Sequence, residues 1–219
     1  MAEQRTIAVI GGTGQEGGGL AARFAHAGHR VIIGSRDADK AADAAARLNE
    51  KVGADRVSGH TNADAVAAAD LVVLAVPYQG QKHTALSLKE ALAGKILVDA
   101  TVPLVPPKVA RVQLPEGGSA VAAIQVLLGP EVKVVSAFQN VSWNHLIDLD
   151  HAIDCDVLVC GDDNDACDTV VALIGEIGMR GFHAGPIVNS AAAEALTSLL
   201  ISINRRYKSS GSGIRITAV

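Results

Sequence analysis

Short, nearly unbroken apolar runs recur along the chain, most of them followed by a stretch with helical spacing. Ile7-Ala8-Val9-Ile10 is the first run. Leu20, Ala21, Phe24 and Ala25 then mark one helix face within Gly19 to Ala27, and Gly28 suits the residue that ends it. Val31-Ile32-Ile33-Gly34 reads as a second strand, and Asp37 as the cap of a helix starting near Ala38. The same alternation predicts strands at 55–61, 71–76, 95–100 and 132–138, with helices at 63–69, 85–93 and 119–128. Strands that are apolar on both faces belong to a parallel sheet covered on both sides by helices. Four prolines between Pro103 and Pro115 mark an irregular loop.

Past residue 140 the pattern changes. A strand at 156–160, a turn at Gly161-Asp162-Asp163, a helix at 166–177, a short strand at 180–184, a long helix at 190–206 and a terminal strand at 213–219 are expected. The expectation is an α/β, Rossmann-type, doubly wound and mainly parallel sheet over 1–142. A small α+β part over 143–219 closes one side of its cleft.

The first strand leads directly into Gly12-Thr13-Gly14-Gln15-Glu16-Gly17, a G-x-G-x-x-G fingerprint in its strand–turn–helix context. The first glycine is expected to permit the tight turn. The second lets backbone approach a pyrophosphate, and the third lets helix and strand pack closely. Free N–H groups and the positive end of the helix dipole then face the phosphates. About 20 residues on, an NAD site would carry an acidic residue for the ribose hydroxyl. Ser35-Arg36 stand there instead, with Lys40 one turn further, a set that favours the 2′-phosphate of NADP. Glu16 places a carboxylate in the phosphate turn, and its side chain is expected to point away.

Composition narrows the class. The 219 residues carry a net charge of −4, are 49% hydrophobic and only 3% aromatic. That balance argues against general nucleic-acid binding and requires a core of alanine, valine and leucine. No apolar run approaches the ~20 residues of a membrane span. The first strand begins within a few residues of Met1, so no signal peptide is expected and a cytoplasmic location is. Cys155, Cys160 and Cys167 lack metal or redox spacing and read as reduced thiols, and no metal site is expected.

The strand ends define the cleft. Val76, Pro77 and Tyr78 form a wall, with Tyr78 either packing on a ribose or merely standing at the rim, in a loop. Acid–base candidates are weak. His145 and His151 lie near Asp148, Asp150 and Asp154 but read more readily as surface residues, and no nucleophile motif appears. An NADP site without an evident acid or base suits hydride transfer to a ring acceptor. Alternatives are a flavin, a small carbonyl or imine substrate, or a non-catalytic NADP-binding sensor.

The chain resembles the NADPH-dependent reductases of the deazaflavin coenzyme F420. The resemblance is carried by Gly11-Gly12-Thr13-Gly14 with Gly17 and Gly19-Leu20, by Gly28-His29 and Gly34-Ser35-Arg36, and by Val76-Pro77 and Val134 to Ala137. Beyond these it extends to Asp156 to Asp163, Ala184-Gly185-Pro186, Asn189-Ser190 and Glu194 to Thr197. It implies hydride transfer between the nicotinamide and C5 of the deazaflavin, the rings stacked at about 3–3.5 Å. It places Thr13, Gln15, Ser35, Arg36 and Lys40 on NADP, with the nicotinamide near Pro77 and Ala137. Gly12, Gly14, Glu16, Val76 and Tyr78 complete the cofactor-binding set. Gln139, Val141, Trp143 and Arg206 are implied for the second substrate, and a homodimer for the assembly. Where archaeal members read Leu-His-Thr-Ile-Pro, this chain reads Phe138-Gln139-Asn140-Val141-Ser142. A glutamine therefore replaces a ring-contacting histidine; it is expected to bond a ring carbonyl without carrying a proton.

Overall fold

A computed structural model describes residues 4–219. The elements run β1 (Thr6–Ile10), α1 (Gln15–His26), β2 (Arg30–Ser35), α2 (Ala38–Val52), β3 (Val57–Thr61), α3 (Asn62–Ala67), β4 (Leu71–Leu74), α4 (Tyr78–Ser87), α5 (Lys89–Leu92) and β5 (Ile96–Asp99). They continue through α6 (Ala120–Leu128), β6 (Lys133–Ser136), α7 (Trp143–Ile147), β7 (Asp156–Gly161), α8 (Asn164–Glu176), β8 (Arg180–His183) and α9 (Ser190–Tyr207). One sheet forms in the order β3-β2-β1-β4-β5-β6-β7-β8. Pairing is parallel from β3 through β6, antiparallel between β6 and β7, and parallel again between β7 and β8.

The period of two along each strand divides the core between the two faces. Ile7, Val9, Val31, Ile33 and Val73 pack with Leu20 and Phe24 of α1, Ala41 and Ala44 of α2, and Val170 and Ile174 of α8. Ala8, Ile10, Ile32, Val72 and Leu74 face Ala65 and Val66 of α3, Leu92 of α5, and Val121 and Ile124 of α6. Small side chains allow close layers here: a Cβ on Gly19 would lie 2.7 Å from the Cβ of Leu146 in α7. Helix starts follow side-chain chemistry. Asp37 accepts from Lys40 N at 3.2 Å, Ser119 caps α6 through Ala122 N at 2.9 Å, and Asp163 caps α8 through Ala166 N at 2.8 Å.

The structure corrects four expectations. Tyr78 opens α4 instead of lying in a loop, and the helix expected at 85–93 is split into α4 and α5. Pro77 at the N-cap (φ −56°) supplies the start. Of α4 only Gln81 and Ala85 are buried, so no apolar stripe announces it. The expected strand at 213–219 does not form. Ile216 N–H donates to the Asp156 carboxylate at 2.6 Å, and the Ile216 carbonyl accepts from Arg180 at 3.0 Å, so side chains hold this segment beside β7 together with the Asp156 N–H bond to Ile214 O at 2.8 Å. The short α7 was not anticipated. Finally, the helical segment Ile187–Tyr207, at mean hydropathy 1.3, is long and apolar enough by composition to cross a membrane. Its polar groups are engaged within the fold, however: Glu194, Ser190, Thr197 and Ser198 all hydrogen-bond to other segments.

Candidate active site

The site begins at the turn after β1. Gly11 takes φ +89°, and a Cβ there would collide with the Ala75 carbonyl. The left-handed residue is thus Gly11, one position before the fingerprint, rather than Gly12. Gly12 is needed for space: a Cβ would stand 3.0 Å from Val9 O and 3.1 Å from Ile33. At Gly17 a Cβ would lie 2.5 Å from Gly11 O, which is the close helix–turn approach expected of the third glycine. Gly14 caps α1 without any side-chain bond, so the first turn of the helix offers its N–H groups to an anion.

At the end of β2, Ser35 Oγ accepts from Asp37 N at 3.2 Å, and Arg36 is exposed. Asp37 is occupied with α2: the Lys40 N–H holds its carboxyl below the usual range, and Lys40 Nζ stands 3.5 Å away. This local pairing engages the Asp37 carboxylate, next to Arg36, with the start of α2.

A cleft of about 670 Å3 opens across the carboxyl ends of β1, β4, β5 and β6. Gly14, Gln15, Glu16, Val76, Pro77, Tyr78, Gln139, Val141 and Trp143 line it together. Gly12, Thr13, Ser35, Arg36 and Lys40 stand outside that lining, on the β1 turn and the β2 end. Ala137 does not reach the cleft: it is fully buried beneath it. Arg206 is exposed near the end of α9, and that helix presents Thr197, Leu200, Ile201 and Asn204 to the cleft instead. Thr101, Phe138, Asn140, Ser210 and Ser212 also line the walls. The last two come from the tail, brought in because Ser210 O accepts from Asn144 at 2.8 Å and Ser212 N donates to Asn204 at 2.7 Å. No local pattern in the sequence announces that return.

Three polar groups give the cleft its character. Glu16 lines it with Oε1 buried and unpartnered, and burial pushes its carboxyl up to about 8. Its carboxyl therefore holds a proton near neutrality. Asp99 is fully buried beneath the floor, accepting from Gln81 at 2.6 Å and from Thr101 N at 2.9 Å, with its carboxyl raised by burial. Gln139 donates through Nε2 to Asp99 O at 2.7 Å, while its Oε1 is buried without a partner. Its amide nitrogen is thus committed to the floor, and the orphaned atom is an acceptor.

Two buried charged residues hold the walls. Arg23 of α1 is buried and donates to the carbonyls of His145, Leu146, Asp148 and His151, fixing the segment after β6 against α1. Glu194 of α9 accepts from Ser119 Oγ at 2.6 Å, Ala120 N at 2.8 Å and Val121 N at 3.2 Å, locking α9 onto the start of α6. His145 and His151 stack at 4.7 Å in a separate cavity of about 250 Å3, outside the main cleft. Cys155, Cys160 and Cys167 are free and buried.

A sheet of this order, with a glycine-rich turn at β1 and a cleft over its strand ends, defines a dinucleotide-binding α/β protein. Sequence comparison narrows the class. A family model described as NADP oxidoreductase, coenzyme F420-dependent, matches residues 6–103. An F420-dependent NADP reductase of Methanothermobacter thermautotrophicus is 44% identical over 218 residues, covering 96% of this chain and 94% of its own. One from Methanocaldococcus jannaschii is 44% identical over 220 residues, covering 96% and 97%. A solved structure from Arthrobacter sp. FB24, provisionally described as an F420-dependent NADP reductase, superposes with a TM-score of 0.81 at 30% identity, covering 97% and 99%. The chain belongs to the family of F420-dependent NADP oxidoreductases.

Proposed function

We propose that this protein transfers a hydride between NADP(H) and the deazaflavin coenzyme F420. The observation that carries this is the 44% identity to two reductases of that name along nearly the whole of each chain. The cleft fits the groups required. The open first turn of α1 receives the pyrophosphate, and Arg36 and Lys40, with Ser35, receive the 2′-phosphate. Pro77 and Tyr78 wall the nicotinamide end, and Gln139, Val141 and Trp143 line the second ring's position.

When bound, the nicotinamide supplies the hydride that passes to C5 of the deazaflavin. The chain's own residues bind, orient and exclude water. Leu200, Ile201 and Phe138 give the cleft apolar walls suited to flat rings, so that catalysis comes from alignment. Glu16 holds a proton rather than a charge beside the dinucleotide.

In this reading residues 1–142 form the NADP-binding part, and 143–219 line the second-substrate site and the interface of a cytoplasmic homodimer. The exposed apolar side chains Leu199, Ile203 and Tyr207, four residues apart on one face of α9, support such an interface. Mixing the purified protein with NADPH and oxidised F420 tests the activity. Loss of the violet absorption band of the oxidised deazaflavin is expected. Turnover of FMN or FAD with none of F420 would overturn the assignment.

A further inference from the structure

Helix α7 spans only Trp143–Ile147, too short to hold itself without tertiary support. Its last carbonyls have no partner within the helix. The support comes from α1. A Cβ on Gly19 would lie 2.7 Å from the Cβ of Leu146, so the two helices nearly touch there. One turn further along α1, Arg23 donates from Nε to Leu146 O at 3.0 Å and from Nη2 to His145 O at 2.7 Å. The same Nη2 also donates to Asp148 O, and to His151 O at 3.0 Å. Phe24, the next residue, packs edge-on at 6.3 Å against Phe138, whose φ of +75° is unusual for a bulky side chain.

Arg23 is 7% exposed, and these hydrogen bonds all go to backbone carbonyls. An apolar side chain of similar volume would fill the slot without the desolvation penalty of a charge. What the arginine adds is direction. Its planar fork fixes the carbonyls it bonds, and a cation suits the C-terminal end of a helix. Four peptide groups between residues 145 and 151 thus take their position from one side chain of α1.

That position matters at the cleft. Val141, Ser142, Trp143 and Asn144, on the N-terminal side of the bonded carbonyls, line it, and so does Gln15 at the start of α1. Gln15 and Arg23 are eight residues apart on one helix, about 12 Å along its axis. Arg23 itself is not part of the lining. We infer that Arg23 is a positioning residue for the reaction, setting the second-substrate wall at 141–144 against the dinucleotide turn that opens the same helix. The inference rests on the reading of the cleft as a site for two stacked rings. Alignment is what such a site contributes, and a displacement of about 1 Å is worth about 100-fold in rate.

The test compares the wild type with Arg23→Met, which removes the donors, and with Arg23→Lys, which keeps the charge without the fork. Equilibrium binding of NADP, steady-state kinetics with F420 and backbone hydrogen exchange are measured on each. In Arg23→Met, kcat/KM for F420 should fall about 100-fold while the Kd for NADP stays within about twofold; Arg23→Lys should lose about tenfold with the same split. Exchange should quicken at 143–151 while β1 and the first half of α1 keep their protection. A merely structural role would lower Tm and leave the kinetics of the folded variant unchanged, or weaken both ligands alike; either result overturns the inference. So does unchanged exchange at 143–151 in a folded variant. If Arg23→Met does not fold, Arg23→Lys decides by the same split. If the wild type reduces FMN or FAD and not F420, the split is read with that acceptor, and only the assignment of F420 fails. If it reduces none of them, the exchange pattern together with NADP binding decides.

Discussion

Replacing Glu16 by glutamine should remove a pH-dependent destabilisation that the wild-type fold carries. The Glu16 carboxyl lies in the cleft wall with a buried, unpartnered Oε1, and burial alone raises it from 4.5 to about 8. The sign follows from proton counting. Below the ordinary value, folded and unfolded chains both hold the proton and no penalty exists. As pH rises toward 8 the unfolded chain releases the proton while the folded chain retains it, so stability falls, and above about 8 the penalty is constant. Each pH unit inside that window is worth about 1.4 kcal/mol, less near its ends. Between pH 6 and pH 8 the wild type should therefore lose about 2 kcal/mol relative to Glu16→Gln. For a chain of this size that is a divergence in Tm of roughly 5–8 °C. The variant keeps the shape of the side chain, so other titrating groups cancel in the comparison. The assay is thermal unfolding of both proteins in matched buffers from pH 5 to pH 9. An offset between them that does not vary with pH would refute the reasoning.

Two further substitutions follow from the geometry. Arg36→Ala should raise the Michaelis constant for NADPH by about tenfold or more while changing that for NADH little, because only NADPH carries the 2′-phosphate; equal effects on both cofactors in steady-state kinetics would remove the basis for an NADP site. Glu194→Ala should lower stability by about 3 kcal/mol, since Ser119 Oγ and the N–H groups of Ala120 and Val121 lose their buried acceptor together. Denaturant titration reads this as a lower midpoint at unchanged slope, and a loss well under about 1 kcal/mol would show that water replaces the carboxylate.

Much of the first half of the chain was legible because its signals are local. An apolar strand, three glycines and a helical period identify a strand–turn–helix, since each glycine answers a constraint between residues a few positions apart. Ser35 and Arg36 were legible for the same reason: they occupy the end of the next strand at a set distance from the turn. The resemblance reached the second half through short motifs such as Asp156 to Asp163 and Asn189-Ser190. Elements without an apolar period escaped. Helix α4 is polar with Pro77 before it, and α7 has five residues.

What only the tertiary structure decided concerns burial and return of the chain. No sequence pattern tells that Ala137 lies under the cleft while Phe138 and Gln139 line it, because one peptide in an unusual conformation sets which side chain emerges. The tail at 210–212 reaches the cleft through bonds to Asn144 and Asn204, and Asp156 turns an expected last strand into an irregular segment. Glu16 shows the division most plainly. Its place in the phosphate turn is given by counting from Gly14, but its protonation depends on how completely the neighbouring walls remove it from water. The identity of the ligand-binding turn is thus a property of adjacent residues. The chemical state of the groups around it is a property of the packed whole, because desolvation is summed over atoms that sequence holds far apart.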